Sequence, residues 1–424
     1  MLIEPEKRVM STCDELFEET LCLTESLVRA YSTLGNEQEA LEVMEAWYRQ
    51  EGFTVKRVPM EASVLQVDQV GSSPCQARYN VMGLLNPESK GPHLVYNGHL
   101  DVVPAEPESL WTRPPWEPWR DGGWLYGRGA GDMKAGIAAM AMAVKAVRQA
   151  GIAIDHPLTL QTVIEEECSG HGALSCVKAG HAGDFVLIPE PFGAKLVSGQ
   201  VGVLWFRIRL DGVPTHVLDT SAGSNAIEAI TSLFAALKAL EAEINALPRH
   251  SLYQDMEKPF NLNIGRIEGG DWASSVPAHA CLEGRLGFPS EMAVDDAMKL
   301  VEACVEKAEA GLGKGISNLR VEFHGFRSEG VVVDMENSGI RLLGKCHHDL
   351  TGNAITSQAL TCTTDLRAFH VHGGITGTCY GPVAENIHGV DERVDIESIR
   401  HVLKAYALFL CRWGRESHQE LVVR

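Results

Sequence analysis

The spacing of apolar and polar residues changes several times along the chain, and each change marks a different element. Near the N-terminus, Leu16, Leu21, Leu23 and Leu27 recur at helical intervals, with Ser11 placed to cap that helix. Asn36 is placed to cap a second helix, which Gly52 stops. The period then falls toward two. FTVKRV (53–58), ARYNVMGLL (77–85) and HLVYNG (93–98) read as strands rich in β-branched and aromatic residues. A helix over 133–150 is stopped by Gly151, and strand 158–164, helix 171–179 and strand 185–189 continue the alternation. Strands alternating with helices predict an α/β domain with a mainly parallel or mixed sheet covered by helices.

Beyond residue 198 the texture differs. VGVLWFRIRLDG (201–212) alternates as a half-buried strand does, and is followed by a helix over 224–246. Strands over 260–270 and 279–288, a helix over 290–311 and a strand over 319–326 complete a small α+β unit of sheet plus two helices. The α/β texture then resumes and ends in an amphipathic helix over 396–413. The chain therefore reads as a catalytic domain made of residues 1–198 and 326–424, with 199–325 inserted. The alternating strand 201–212 carries large apolar residues in a domain too small to cover itself. Read as an exposed edge, it predicts self-pairing into a homodimer.

Charge and cysteine content narrow the classes. Lys and Arg number 37 against 56 Asp and Glu, giving 37 − 56 = −19, a surface that repels phosphate backbones and anionic membranes. Nucleic acid and membrane are therefore excluded as expected partners. The 11 cysteines form no CxxC pair, which predicts a reduced, cytoplasmic setting without a disulfide framework. MLIEPEKRVM lacks an apolar core, so no secretory leader is expected, and AGIAAMAMAV (135–144) is too short to span a bilayer.

Chemistry gathers where strands end. In NGHLDVVP (97–104), His99 and Asp101 follow an apolar strand, at the edge where open α/β sheets place ligands. A carboxylate there can hold the second nitrogen of an imidazole that faces a metal. A surface His–Asp pair is the plain alternative. In GRGAGDMKAG (127–136), glycines crowd Asp132 at the start of a helix, where it is either a ligand or an N-cap. The spacing is not that of a phosphate loop. VIEEECSGHGA (163–173) ends a strand in three consecutive glutamates, and crowded carboxylates raise one another's pKa unless a cation intervenes. Glu190 closes another strand in LIPEP (187–191), and His388 lies in ENIHGVDERV (385–394) ahead of the last helix. Acids and histidines at strand ends suggest an oxygen-and-nitrogen site for Zn²⁺, Mn²⁺ or Co²⁺.

These motifs, in this order, resemble the di-metal amidohydrolases and exopeptidases that include acetylornithine deacetylase, succinyl-diaminopimelate desuccinylase, aminoacylase and glutamate carboxypeptidase. The likeness runs from GHLDVVP through WEPWRDGGWLYGRGAGDMKAG and IEEECSGHGA to HGVDERV. It extends to the inserted domain at GVPTHV, GSNAI and GGDWASSVP, which are similar to the family's dimerisation or lid domain. The resemblance implies two divalent metal ions, Zn²⁺ first with Mn²⁺ or Co²⁺ as alternatives. It implies that His99 and Glu190 bind one metal, Glu167 and His388 the other, that Asp132 bridges them, and that Asp101 orients His99. Glu166 aligns with the general base; a register one residue earlier, with Glu165 as base and Glu166 as ligand, fits the spacing to Gly172 less well. His216 matches the lid histidine that steadies the oxyanion in the partner subunit's site. Arg285 matches an arginine near the substrate carboxylate.

Two departures stand out. His216 is followed by Val217 and Leu218 where the family often has glycine one residue after that histidine, and Ser274 stands where the family's substrate-contacting Asn usually lies. The expectation is a metal-dependent hydrolase of a C–N amide bond in a small N-acylated amino acid or related compound, deacetylase-like. The alternatives are a dipeptidase or carboxypeptidase, an aminohydrolase acting on an aromatic amine or amide, and, remotely, a non-catalytic binding protein of the same fold. The Trp-rich stretch Trp111, Trp116, Trp119, Trp124 reads as an aromatic rim or as ordinary packing.

Overall fold

A computed structural model describes residues 2–60 and 77–421, with side chains described through residue 414. The chain divides into two compact units, one of 1–198, 333–358 and 364–424, the other of 199–332 and 359–363. The inserted unit thus runs past residue 325, because its last strand continues to Ser328 and a two-residue strand, Val331–Val332, follows. It also takes in the short segment 359–363.

The larger unit is built on a six-stranded sheet in the order Thr54–Pro59, Tyr79–Leu85, Leu158–Val163, Leu94–His99, Phe185–Ile188, Gly377–Cys379. The last four run parallel, while the first two are joined by antiparallel pairing. Every residue of Leu94–His99 and Leu158–Val163 is buried, so both faces of the sheet are covered. The helix Ala135–Gln149 is made largely of Ala and Met and is buried on nearly every side, packed against Ile396–Leu421, Glu4–Glu15 and Phe17–Arg29. Its N-terminus comes so close to the sheet edge that a Cβ on Gly136 would lie 2.3 Å from the carbonyl oxygen of Pro189.

Several local expectations change. The first helical stretch is two helices, Glu4–Glu15 and Phe17–Arg29, and Ser11 sits inside the first, bonding Glu15 instead of capping. Glu37, not Asn36, occupies the N-cap of Gln38–Gln50, and the Asn36 amide turns back to Thr33. The tryptophan stretch folds as the short hairpin Trp119–Asp121/Trp124–Tyr126. Trp119 stacks on Tyr126 at 4.6 Å, Arg393 covers Trp124, and Trp111 is buried, so this segment is packing.

The inserted unit is a four-stranded antiparallel sheet in the order Leu262–Gly269, His279–Phe288, Gly202–Asp211, Ser317–Ser328, with helices Ala226–Asn245 and Val294–Glu309. Leu204, Phe206, Ile208 and Leu210 point into a core with Leu233, Leu237 and Val301, as period-two alternation requires. The edge-strand expectation fails. Gly202–Asp211 is paired on both sides, and the intervening Arg207 and Arg209 meet Glu283 and Glu322 on the neighbouring strands. Sequence alternation reports which face is buried, not which strand lies at the edge. No helix among the described residues is long and apolar enough to cross a membrane.

Candidate metal centre

Three parallel strands end on one edge of the larger sheet, and each delivers part of the site. His99 is the last residue of Leu94–His99, Glu165 to Glu167 follow Leu158–Val163, and Glu190 follows Phe185–Ile188. Asp132 comes from the turn before Ala135–Gln149. Its φ and ψ of −112° and 96° are not helical, and the cap position belongs to Lys134, so Asp132 is not a helix cap. His388 arrives from the loop after strand Ala384–Glu385.

Two overlapping triads result, His99–Glu166–Glu190 and His99–Asp132–Glu167, each with ligand atoms within 4.8 Å of one another. His99 Nε2 lies 3.1 Å from Asp132 Oδ1, and 3.9 Å from both Glu166 Oε2 and Glu190 Oε1. His388 Nε2 lies 3.1 Å from Glu167 Oε2 and 3.6 Å from Asp132 Oδ2. Asp132 therefore offers one oxygen to each histidine. The site is graded in exposure: the His99 side chain is 1% exposed and that of His388 51%, so it opens on the His388 side. Asp101 acts in two ways. Its backbone oxygen pairs with His99 Nδ1 at 2.9 Å, leaving Nε2 for the centre, and its carboxylate accepts the amides of Glu166 and Glu167 at 3.3 and 3.0 Å.

The electrostatics describe a centre short of positive charge. Burial works against a charged His99, yet the bond to Asp132 and the charges of Glu166, Glu190 and Asp101 hold its pKa well above the usual value. His388 is lifted to about 11 in the same way, its lost hydration outweighed by Glu167 and Asp132. Burial above all, then neighbouring acids, push Glu166 and Glu190 well above the carboxylate range and Asp101 up to about 8. Glu166 Oε1 is buried with no hydrogen-bond partner among the described residues. A cluster that draws protons onto its histidines and its own carboxylates has the charge demand that divalent cations meet, and an all-oxygen-and-nitrogen donor set suits them.

Glu165 is directed elsewhere. With φ +70°, it turns its carboxylate away to Arg78, Ser169 Oγ and Cys168 Sγ, and Arg78 also holds Glu37. Sequence reasoning missed this support and three more buried groups. Asp365, whose carboxylate oxygens have no hydrogen-bond partner among the described residues, adds to the charge felt by Glu166 and Glu190. Lys134 donates to the carbonyls of Leu27 and Ala30. Glu392 holds the Asp132 turn. The run HGVDERV contains Glu392, but nothing in its spacing separates a buried acid from an exposed one.

In the inserted unit, His216 and the stretch around Ser274 are brought together by pairing of His216 with Ser275, and both residues are exposed. His216 Nδ1 accepts the amide of Leu218 at 3.1 Å, which leaves Nε2–H as a free donor. Arg285 is not at this end. It pairs with Trp205, six residues along the strand from the Asp211–His279 pair, about 20 Å away at ~3.3 Å per residue. Instead of an acid, it meets the carbonyls of Asn261 and Thr361.

Comparison with known proteins gives a consistent picture. The family described as Peptidase family M20/M25/M40 matches residues 95–412. The chain is 27% identical over 356 residues to N-formyl-4-amino-5-aminomethyl-2-methylpyrimidine deformylase of Bacillus subtilis (strain 168), covering 79% of this chain and 83% of that protein. It is 29% identical over 337 residues to a succinyl-diaminopimelate desuccinylase of Caulobacter vibrioides, covering 76% and 81%. Its fold is similar to that of the dipeptidase Dug1p from Saccharomyces cerevisiae, with a TM-score of 0.81, 16% identity and coverage of 96% and 98%.

Proposed function

The chain belongs to peptidase family M20/M25/M40 and is a hydrolase of C–N bonds, and from that premise we propose that it is a metal-dependent deacylase of small N-acylated amino acids or related amines. The observation that carries the reading is the pair of triads sharing His99, one of which includes Glu166, whose Oε1 has no hydrogen-bond partner among the described residues. His99, Glu190 and Asp132 would hold one divalent cation, and Asp132, Glu167 and His388 the other. Zn²⁺ is the first expectation and Mn²⁺ or Co²⁺ the alternatives. Bound there, the ions supply Lewis acidity that activates water and polarises the scissile carbonyl.

The chain's own groups do the rest. Asp101 fixes the His99 ring and, through two amides, the orientation of the Glu166–Glu167 turn. Glu166 takes the proton of the attacking water and delivers it to the leaving amine. His216 offers its free Nε2–H to the developing oxyanion. We assign this contact to a partner subunit. The inserted unit exposes Leu218 at 90% and Trp272 at 74% beside the His216 loop, apolar surface that a homodimer would cover. Arg285, half-buried and bonded among the described residues to the carbonyls of Asn261 and Thr361, is suited to a substrate carboxylate, and Ser274 to a small polar contact. The acyl amides named for the deformylase and desuccinylase relatives favour an N-acyl substrate over a dipeptide.

The test is a panel of N-formyl, N-acetyl and N-succinyl amines and amino acids, with dipeptides included. It is assayed on chelator-stripped protein and after adding Zn²⁺, Mn²⁺ or Co²⁺. Turnover of an N-acyl compound only after metal addition is expected. Undiminished turnover by metal-free protein would overturn the metal reading, and turnover of dipeptides alone would overturn the substrate class.

A further inference from the structure

Arg128 and Glu392 form a buried ion pair beside the candidate metal centre, with side chains 3% and 1% exposed and Arg128 Nη1 at 2.5 Å from Glu392 Oε2. Each stands on one loop and holds the backbone of the other. Glu392, on the His388 loop, accepts at Oε1 the amides of Gly131 and Asp132, both at 3.0 Å. Arg128, on the Asp132 loop, donates through Nη2 to the carbonyl of Gly389 at 3.0 Å and to that of Pro104 at 3.3 Å. The amide of Gly127 donates to the backbone oxygen of Glu392 at 3.0 Å. Two loops some 260 residues apart in sequence are thereby tied at positions next to Asp132 and His388.

Stability does not account for such a pair. Burying a guanidinium and a carboxylate costs so much hydration that well-packed apolar residues often serve a fold as well. What the pair adds is geometry. Asn386, His388 and Asp391 have φ of 56°, 62° and 54°, so the loop turns three times through the left-handed region that Asn, His and Asp enter more readily than other side-chain-bearing residues. A Cβ on Gly131 would lie 2.6 Å from that of Ala384 and 3.3 Å from Glu392 Oε1, so the loops meet with no slack.

We infer that Arg128 and Glu392 are positioning residues that hold the Asp132 and His388 loops at a fixed separation and so set the affinity of the centre for its second cation. The inference rests on the two-cation reading above. The test uses the full chain and Zn²⁺ itself, titrated calorimetrically into chelator-stripped protein. The double variant Arg128→Met/Glu392→Met replaces the pair by side chains of similar length, chosen to keep the packing while both backbone anchors are lost. Wild type is expected to bind two ions. The variant, folded by circular dichroism, is expected to keep one near wild-type affinity and to bind the other about 10- to 100-fold more weakly. Two ions at wild-type affinity in the folded variant would overturn the inference. A wild type that takes up no ion would instead overturn the metal reading on which it rests. Should the double variant not fold, Glu392→Gln decides by the same titration. It keeps an acceptor for the two amides but turns an amide donor toward Arg128, and unchanged second-site affinity would again overturn the inference.

Discussion

The three consecutive glutamates allow a sharp experiment, because the structure gives identical side chains three different surroundings. Glu166→Gln keeps shape and removes basicity. Its Oε1 has no partner to lose among the described residues and its Oε2 is 3.9 Å from His99 Nε2, so the fold and metal content should change little. Losing a general base lowers kcat by about 10²- to 10⁴-fold, or roughly 3–5 kcal/mol of barrier. Glu167→Gln weakens a group 3.1 Å from His388, so loss of one metal should accompany the loss of rate. Glu165→Gln touches neither. It weakens the buried contact with Arg78, which retains Glu37, so the cost falls on stability, up to about 3 kcal/mol, with kcat near wild type. Steady-state rates on the best substrate of the panel, elemental analysis and thermal melts separate the outcomes. A folded, metal-replete Glu165→Gln protein without turnover, beside an active Glu166→Gln protein, would show the register to be wrong by one residue.

Other expectations follow from single contacts. Lys134→Met leaves the carbonyls of Leu27 and Ala30 without their buried donor and should cost about 1–3 kcal/mol in urea denaturation, an unchanged midpoint counting against the clamp. His216→Ala and Glu166→Gln subunits, each inactive, should regain part of the activity when mixed if His216 acts across a dimer; no recovery after demonstrated subunit exchange would place it in its own chain's site or outside catalysis. His401, bonded to the Tyr380 hydroxyl at 2.6 Å, is depressed from 6.5 to about 4, chiefly by burial and then by His347 and Lys404. The unfolded chain therefore takes up a proton between those values that the folded chain refuses, so stability falls as pH drops through that window. That difference bounds the loss at about 3 kcal/mol. Denaturation at pH 7 and 5 should show a smaller loss for His401→Phe than for wild type, and equal losses would exclude His401 as the source.

What the sequence disclosed and what it hid divide along a physical line. His99, Glu190 and the glutamate run 165–167 were legible as candidates because each lies at the C-terminal end of an apolar strand, and parallel strands bring those ends to one edge whatever their order; the choice of Glu166 and Glu167 within the run came from the family resemblance. The α/β class with an inserted α+β unit followed from changes in period alone. Features that depend on which distant segments meet were not legible. Gly202–Asp211 alternates like an edge strand yet lies inside its sheet, because alternation is blind to hydrogen-bonding neighbours. Nothing in VIEEEC tells the inward glutamates from Glu165, whose direction is set by Arg78, 87 residues earlier. Arg128 and Glu392 are 264 residues apart, and each alone reads as one more surface charge. Candidate ligands can thus be written as local motifs, while the contacts that tie their loops together are written in long-range pairs. It follows that a chain carrying the same strand-end acids and histidines but lacking acid and base at the positions of Glu392 and Arg128 should hold its second cation weakly. Equal second-site affinity in a naturally occurring chain of that kind would mean that the strand ends alone are sufficient.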